Sequence, residues 1–221
     1  MKSKGHIRYR SEVEKLKNGK GVIFPGVTTI VGILNKPALV KWANKLGLDG
    51  VEVGRFVDDK ADIGTLGHAM ITDHYKGVET DTSDYTKNQI DKAENAALSF
   101  WEWEKKHKIE PILIEEPLVS ERMEFGGTAD IYGKVDGVLE LIDIKTGNGI
   151  WPEHYIQVAA YGYLLAENGY KVDNYRILNI PRAETENFRE ELVGSISKQW
   201  LIFAHCLSIY RLRKEIKSSE K

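Results

Sequence analysis

Val138, Leu139, Leu141, Ile142 and Ile144 make a nearly continuous apolar run between Asp136-Gly137 and Thr146-Gly147, the pattern of a buried strand. Side chains alternate along a strand, so Asp143 and Lys145 share one face, and Ile142 and Ile144 take the other. Asp136-Gly137 favours a two-residue hairpin turn. That turn folds the strand back on the segment from Phe125 to Tyr132 and carries Asp130 toward Asp143. Upstream, Ile112 to Val119 reads as a first strand, with Pro117 placing it at an edge or near its end, so three consecutive strands form a meander.

The remaining periodicities are mostly helical. Residues 1–22 are rich in Lys and Arg and read as a mobile arm or a peripheral strand pair; a solvated terminus is the plainer reading, phosphate contact the sharper one. Thr28 or Thr29 is placed to cap a helix bearing Ile30, Ile33 and Leu34, which Pro37 interrupts. A second helix carries Leu39, Val40, Trp42, Ala43 and Leu46 and stops at Gly47, with Trp42 as core or as an inter-helix anchor. A third spans 58–75 around Gly64-Thr65-Leu66-Gly67-His68-Ala69. Two glycines inside a helix cost about 1 kcal/mol each relative to alanine, which suggests close approach of another backbone or of a ligand. Residues 83–108 give the longest helical pattern, with Trp101 and Trp103 on different faces, suited to packing or to stacking on a base. Pro152 opens a further helix over 152–168 and Asn168-Gly169 closes it. Gln157 and Tyr161 share one of its faces, one turn beyond His154. A fourth strand at 172–180, a short one at 186–194 and an amphipathic helix at 196–216 complete the pattern. The economical architecture is α/β, a mixed sheet flanked by helices.

Composition narrows the class without choosing a function. A chain of 221 residues with 42% hydrophobic content can build a sizeable core. The single Cys206 excludes an internal disulfide framework and any cysteine metal cluster. No long apolar run and no secretory pattern stands in the sequence, so we expect no membrane partner and a cytoplasmic location, in a bacterial or phage-infected cell. The net charge of -2 decides nothing about nucleic acid.

Two acids on a hydrophobic hairpin are costly to bury unless something positive meets them. Asp130, Asp143 and Lys145 can satisfy each other as a partly buried ionic network, or the carboxylates can hold a divalent metal. His68, beside its glycines, is open to a structural hydrogen bond or to metal ligation.

Taken together, Gly127-Thr128-Ala129-Asp130, Asp143-Ile144-Lys145 and Gln157-Val158-Ala159-Ala160-Tyr161, in this order of elements, resemble the PD-(D/E)XK nuclease superfamily. The resemblance is nearest to its RecB-type exonuclease branch, which includes phage exonucleases and the mitochondrial genome maintenance exonuclease. That branch pairs G-x-x-D with D-x-K, adds Q-x-x-x-Y on the next helix and places a histidine on an upstream helix. The likeness covers roughly residues 64–181. Ala129-Asp130 departs from the superfamily's proline-acid pair, and cysteines for an iron-sulfur cluster are missing, which argues against that cofactor.

The resemblance implies a restriction-endonuclease-like core within a single nuclease domain over 1–221. Residues 1–80 supply the basic arm and a helical subregion bearing His68, 81–185 the nuclease core, and 186–221 the last strand and helix. It implies an Mg2+- or Mn2+-dependent deoxyribonuclease acting on DNA ends or single strands, in phage or bacterial recombination, repair or replication, with proteins of those processes as partners. Asp130 and Asp143 would hold the metal with the Ile144 carbonyl, and His68 would be a further ligand. Glu115 would act through water, with Glu116 as its rival. Lys145 would orient water and steady the transition state, and Gln157 and Tyr161 would position the site or the DNA backbone. The helices before residue 80 would form an arch or wall over it. A restriction-type or structure-specific endonuclease, and a silent DNA-binding module, are the alternatives.

Overall fold

The computed structural model describes residues 8–13, 15, 19, 21–34 and 36–220. Among these the elements run β1 (Tyr9–Arg10), β2 (Ile23–Phe24), α1 (Val27–Val31), α2 (Pro37–Leu48), α3 (Val53–Lys76) and α4 (Lys87–Glu104). They continue with β3 (Ile109–Ile114), β4 (Pro117–Ser120), β5 (Phe125–Thr128), β6 (Ile131–Val135), β7 (Val138–Thr146), α5 (Pro152–Glu167), β8 (Asn174–Ile180), β9 (Arg189–Val193) and α6 (Ser197–Ser219).

Five strands form one mixed sheet in the order β3-β6-β7-β8-β9. Only β7 and β8 run parallel, and α5 is the crossover between them, the length of connection that parallel pairing requires. The sheet is covered on both faces. Ile71, Phe100, Ile142, Ile144 and Leu178 form the core under α3 and α4. Ile30, Leu141, Leu164, Ile177 and Phe203 form the core under α1, α5 and α6. Alternation along β7 therefore puts Leu141, Asp143 and Lys145 toward α5 while Ile142 and Ile144 enter the other core, as the sequence predicts.

The hairpin expected at Asp136-Gly137 is present. Val135 pairs with Val138, and the two turn residues have φ of 52° and 87°, the left-handed pair that a type I′ turn needs. The single strand expected at 112–119 is instead two. Glu115 adopts φ 50°, turning the chain out of the large sheet, and β4 then pairs with β5 in a separate two-stranded sheet. The meander is thus β3-β6-β7 with β4-β5 inserted, and Ala129-Asp130 lies where the chain passes from one sheet to the other.

Other boundaries moved for local reasons. α1 is capped at Gly26 with no side-chain bond, so neither Thr28 nor Thr29 acts as its cap. Pro37 opens α2, since a first-turn residue has no need of its N–H. α3 begins at Val53, well before 58, because the Glu52 carboxylate accepts from Gly54 N at 2.9 Å and Arg55 N at 2.7 Å. α4 starts at Lys87 behind a Thr86–Gln89 capping box. The described part of the basic arm is no solvated terminus. β1 pairs with β2, Tyr9 Oη lies 3.1 Å from Thr128 Oγ1, and Ser11 Oγ donates to Glu121 at 2.7 Å. Residues 1–7 lie outside the described residues. Trp103 is core, whereas Trp42 is 39% exposed on α2, a helix with no buried residue.

Two features secure the frame around the site. Arg176, 6% exposed on β8, donates through Nε to Glu140 Oε2 at 2.7 Å and through Nη2 to Oε1 at 3.0 Å, joining β7 to β8 beneath Trp103. On the opposite face, a Cβ at Gly127 would stand 2.8 Å from Tyr161 Cε1 and 2.9 Å from Val27 Cγ2. Gly127→Ala should therefore lower stability by about 1–3 kcal/mol through overpacking, read as a lower urea midpoint with an unchanged slope.

Candidate active site

The C-terminal end of β7 gathers the charges. Asp143 is 1% exposed, and Lys145 Nζ donates to its Oδ1 at 2.9 Å. The same nitrogen is 2.8 Å from Oδ2 without hydrogen-bond geometry, leaving that buried oxygen with no hydrogen bond among the described residues. Burial pushes the Asp143 carboxyl up to about 6; Lys145 opposes this and the nearby Asp130 charge adds to it.

Asp130 reaches the same place from the junction between β5 and β6. Its Oδ2 accepts from Ile144 N at 2.6 Å, tying the two strands together at the site. Its Oδ1 lies 3.3 Å from His68 Nδ1. Burial alone would raise the Asp130 carboxyl, but the facing His68, then Lys145 and the Ile144 N–H, hold it below the usual range. The mirror of that balance appears on His68: burial lowers it, Asp130 outweighs the burial, and the imidazole gains affinity for its proton. Lys145, likewise opposed by burial, is held protonated by Asp143 and Asp130.

The glycines explain how His68 gets there. A Cβ at Gly64 would lie 2.7 Å from Thr146 Oγ1, and one at Gly67 would meet Ala96 and Thr146 at 3.6–3.7 Å. The small residues thus let α3 close against β7 and α4. Tyr161 is buried on α5 beside Gly127, and burial first, then the charges of Asp143 and Asp130, keep its phenol un-ionised. Gln157 is half-buried one turn earlier, with no hydrogen bond to either aspartate among the described residues. His154 does not join them: its Nδ1 accepts from Trp151 N at 3.2 Å, and burial followed by Lys145 pushes it down to about 4.

Glu115, on its left-handed turn, directs its carboxylate to Thr72 Oγ1 at 3.1 Å and Lys76 Nζ at 2.8 Å, while its N–H donates to Asp130 O at 2.9 Å. Glu116 is exposed. Of the two acids, Glu115 is the one that lines the cleft. That cleft, about 1000 Å3, opens in front of His68 and Lys145 and carries Lys60, Lys76 and Arg182. These three cations escaped the sequence reading because no motif marks them. For Lys60 a signal did exist: Phe56, Lys60, Gly64 and His68 recur at four-residue spacing on one helix stripe. Arg182 is held by Glu186, Nη2 to Oε1 at 2.6 Å. Its loop is tied to β7 by the wholly buried Asn179, which donates to Gly147 O at 2.9 Å and Asn187 O at 3.0 Å.

Among the described residues, no three His, Cys, Asp or Glu side chains converge as a closed metal shell. The donor types nevertheless suit a hard divalent cation: two carboxylates and an imidazole, one carboxylate oxygen buried with no hydrogen bond. Two nitrogen side chains face the acids, Lys145 on Asp143 and His68 on Asp130. An ion would enter by displacing those contacts.

Comparison with known proteins gives a fold. No family model and no curated protein matches the chain. Among solved structures, a protein from Eubacterium rectale provisionally described as an exonuclease aligns over 72% of this chain and 69% of its own, at 15% identity and a TM-score of 0.51. An alkaline exonuclease from Laribacter hongkongensis aligns over 72% of this chain and 90% of its own, at 12% identity and a TM-score of 0.37, too distant to add to the assignment. The first likeness and the sheet order agree with the mixed α/β, restriction-endonuclease-like core expected from the sequence. No helix among the described residues is long and apolar enough to cross a membrane.

Proposed function

We propose that this chain is a metal-dependent deoxyribonuclease that hydrolyses phosphodiester bonds, an exonuclease acting at DNA ends or in single strands during recombination, repair or replication. The observation that carries this reading is the buried Asp143 beside the half-buried Asp130, faced by Lys145 and His68 behind a cleft lined by Lys60, Lys76 and Arg182. Acids behind cations fit a ligand that brings both phosphate and metal.

Asp130 and Asp143 would hold Mg2+ or Mn2+ with the Ile144 carbonyl; His68 would add a nitrogen, and Glu115 would act through water. The chemistry such an ion supplies when bound is acidification of water and neutralisation of charge on phosphorus. The chain's own part rests on Lys145. Held protonated by two carboxylates, its ammonium serves as a hydrogen-bond donor to the phosphoryl oxygens and to the attacking water, an electrostatic role rather than a basic one. The Ile144 N–H fixes one Asp130 oxygen and leaves the other toward His68 and the site. Tyr161 and Gln157 position this end of the hairpin from α5.

End-labelled single- and double-stranded DNA incubated with Mn2+ should lose nucleotides progressively, and EDTA should stop the loss. No cleavage in Mn2+ or in Mg2+ would sink the enzyme reading. Nicking of covalently closed circular DNA would move the assignment to an endonuclease, since an exonuclease needs an end. The open ligand shell favours one rival, a silent DNA-binding module. Thermal unfolding discriminates: metal binding at a hundred times its Kd should stabilise the protein by about 2.7 kcal/mol, a rise in Tm of roughly 5–11 °C for a chain of this size. An unchanged Tm in millimolar Mn2+ would support the silent module.

A further inference from the structure

The stripe Phe56, Lys60, Gly64 and His68 runs along α3 from the metal-site histidine to a part of the molecule that the proposed chemistry does not use. Phe56 meets Trp42 of α2, with ring centroids 5.9 Å apart and planes at 59°. Lys60 Nζ stands over the Phe56 ring at 5.4 Å, and that same lysine lines the cleft with Lys145 and Arg182. Burial, then the charges of Arg182 and Lys92, lower the affinity of Lys60 for its proton, against the opposing pull of Glu186 and Asp59, and the cleft carries this lysine beside an arginine already paired with Glu186.

The aromatic pair needs an explanation of its own. α2 contributes no buried residue, Trp42 is 39% exposed, and Leu39 and Val40 beside it are more exposed still. Core packing does not account for a tryptophan there. An apolar protein partner would not account for the continuity with the cationic cleft. A polynucleotide with its bases unstacked meets both requirements, since every base offers a π-face and every linkage a charge.

We propose that Trp42 and Phe56, together with Lys60 and Arg182, form a lane that takes an unpaired DNA strand out of the cleft. Bases stack on the aromatic pair, and the cations hold the phosphates nearest Lys145. From Phe56 to His68 the helix advances about 18 Å. The proposal rests on the nuclease reading for the direction of the strand, but its binding test does not require turnover. A duplex, its bases already stacked on each other, has no use for the aromatic end.

The test is fluorescence anisotropy in EDTA with a labelled oligothymidylate and a labelled blunt duplex of equal length. Trp42→Ala combined with Phe56→Ala should weaken binding of the oligothymidylate about tenfold or more and leave duplex binding unchanged. Lys60→Ala should make the fall of log K with log salt shallower by about 0.7, the loss of one phosphate contact to a single strand. Circular dichroism melts should match the wild type, because these side chains lie outside the buried core. Equal losses on both DNAs, no loss on either, or a wild type that does not bind the single strand would each overturn the lane. A wild type that cleaves while the double variant binds normally would remove the lane and keep the nuclease. A lane-sensitive protein that does not cleave in Mn2+ would keep the lane and remove the nuclease.

Discussion

Asp143→Asn should reduce hydrolysis by more than about 100-fold, beyond the range seen when residues that merely support metal ligands are changed. The substitution keeps the volume of the side chain and removes the charge that a divalent ion would share. It also removes one of the two carboxylates that keep Lys145 protonated. Lys145→Ala should cost on the order of 10²–10³ in kcat, as loss of a transition-state donor does, with metal binding retained. The two variants therefore separate on one further measurement: Mn2+ should still raise the Tm of Lys145→Ala and should no longer raise that of Asp143→Asn. Wild-type rates in either purified variant would remove this site from consideration.

The largest effect on stability should come from Arg176→Ala. The change leaves Glu140, 2% exposed between β7 and β8, with Asn174 Nδ2 at 3.1 Å as its remaining side-chain partner among the described residues, and takes the same guanidinium away from Glu190 of β9. Breaking a buried pair from one side costs about 3–5 kcal/mol because the remaining charge is stranded. For a chain of this length that is a fall in Tm of roughly 6–20 °C. Replacing both partners together, Glu140→Leu with Arg176→Met, should recover most of the loss, since the desolvation cost disappears with the charges. If the double variant melts no higher than the single one, the ion pair is not the source of the effect.

What the sequence made legible follows from how local each signal is. Asp136-Gly137 specifies its turn within two residues, so the approach of Asp130 to Asp143 could be read directly. Pro152 and Asn168 bracket α5 just as plainly. The expectation failed where a conformation depends on distant partners. Nothing in Ile112 to Val119 reveals that Glu115 turns left-handed, because the reason lies in Lys76 and Thr72 on α3 and in the Asp130 carbonyl. Arg176 and Glu140 are far apart in sequence and meet only through the parallel register of β7 and β8. Of the two readings open for Trp42, core and inter-helix anchor, the contact with Phe56 of α3 agrees with the second, because α2 stands against too little to bury it. The position of His68 was legible in a different manner, through two glycines whose cost in a helix asked for a neighbour. The neighbours prove to be Thr146 and α4, which bring the histidine within reach of Asp130.

Asn179 has a consequence for where a cut would fall. Its amide spans from the carbonyl after β7 to the loop that carries Arg182, and it does so wholly inside the protein. The backbone interval between Lys145 and the Arg182 loop is therefore set by sheet register and one buried amide, with Asp143 and Glu186 holding the two side chains at its ends. On the proposed function, that fixed interval would space a phosphate held at Arg182 from the bond cut beside Lys145.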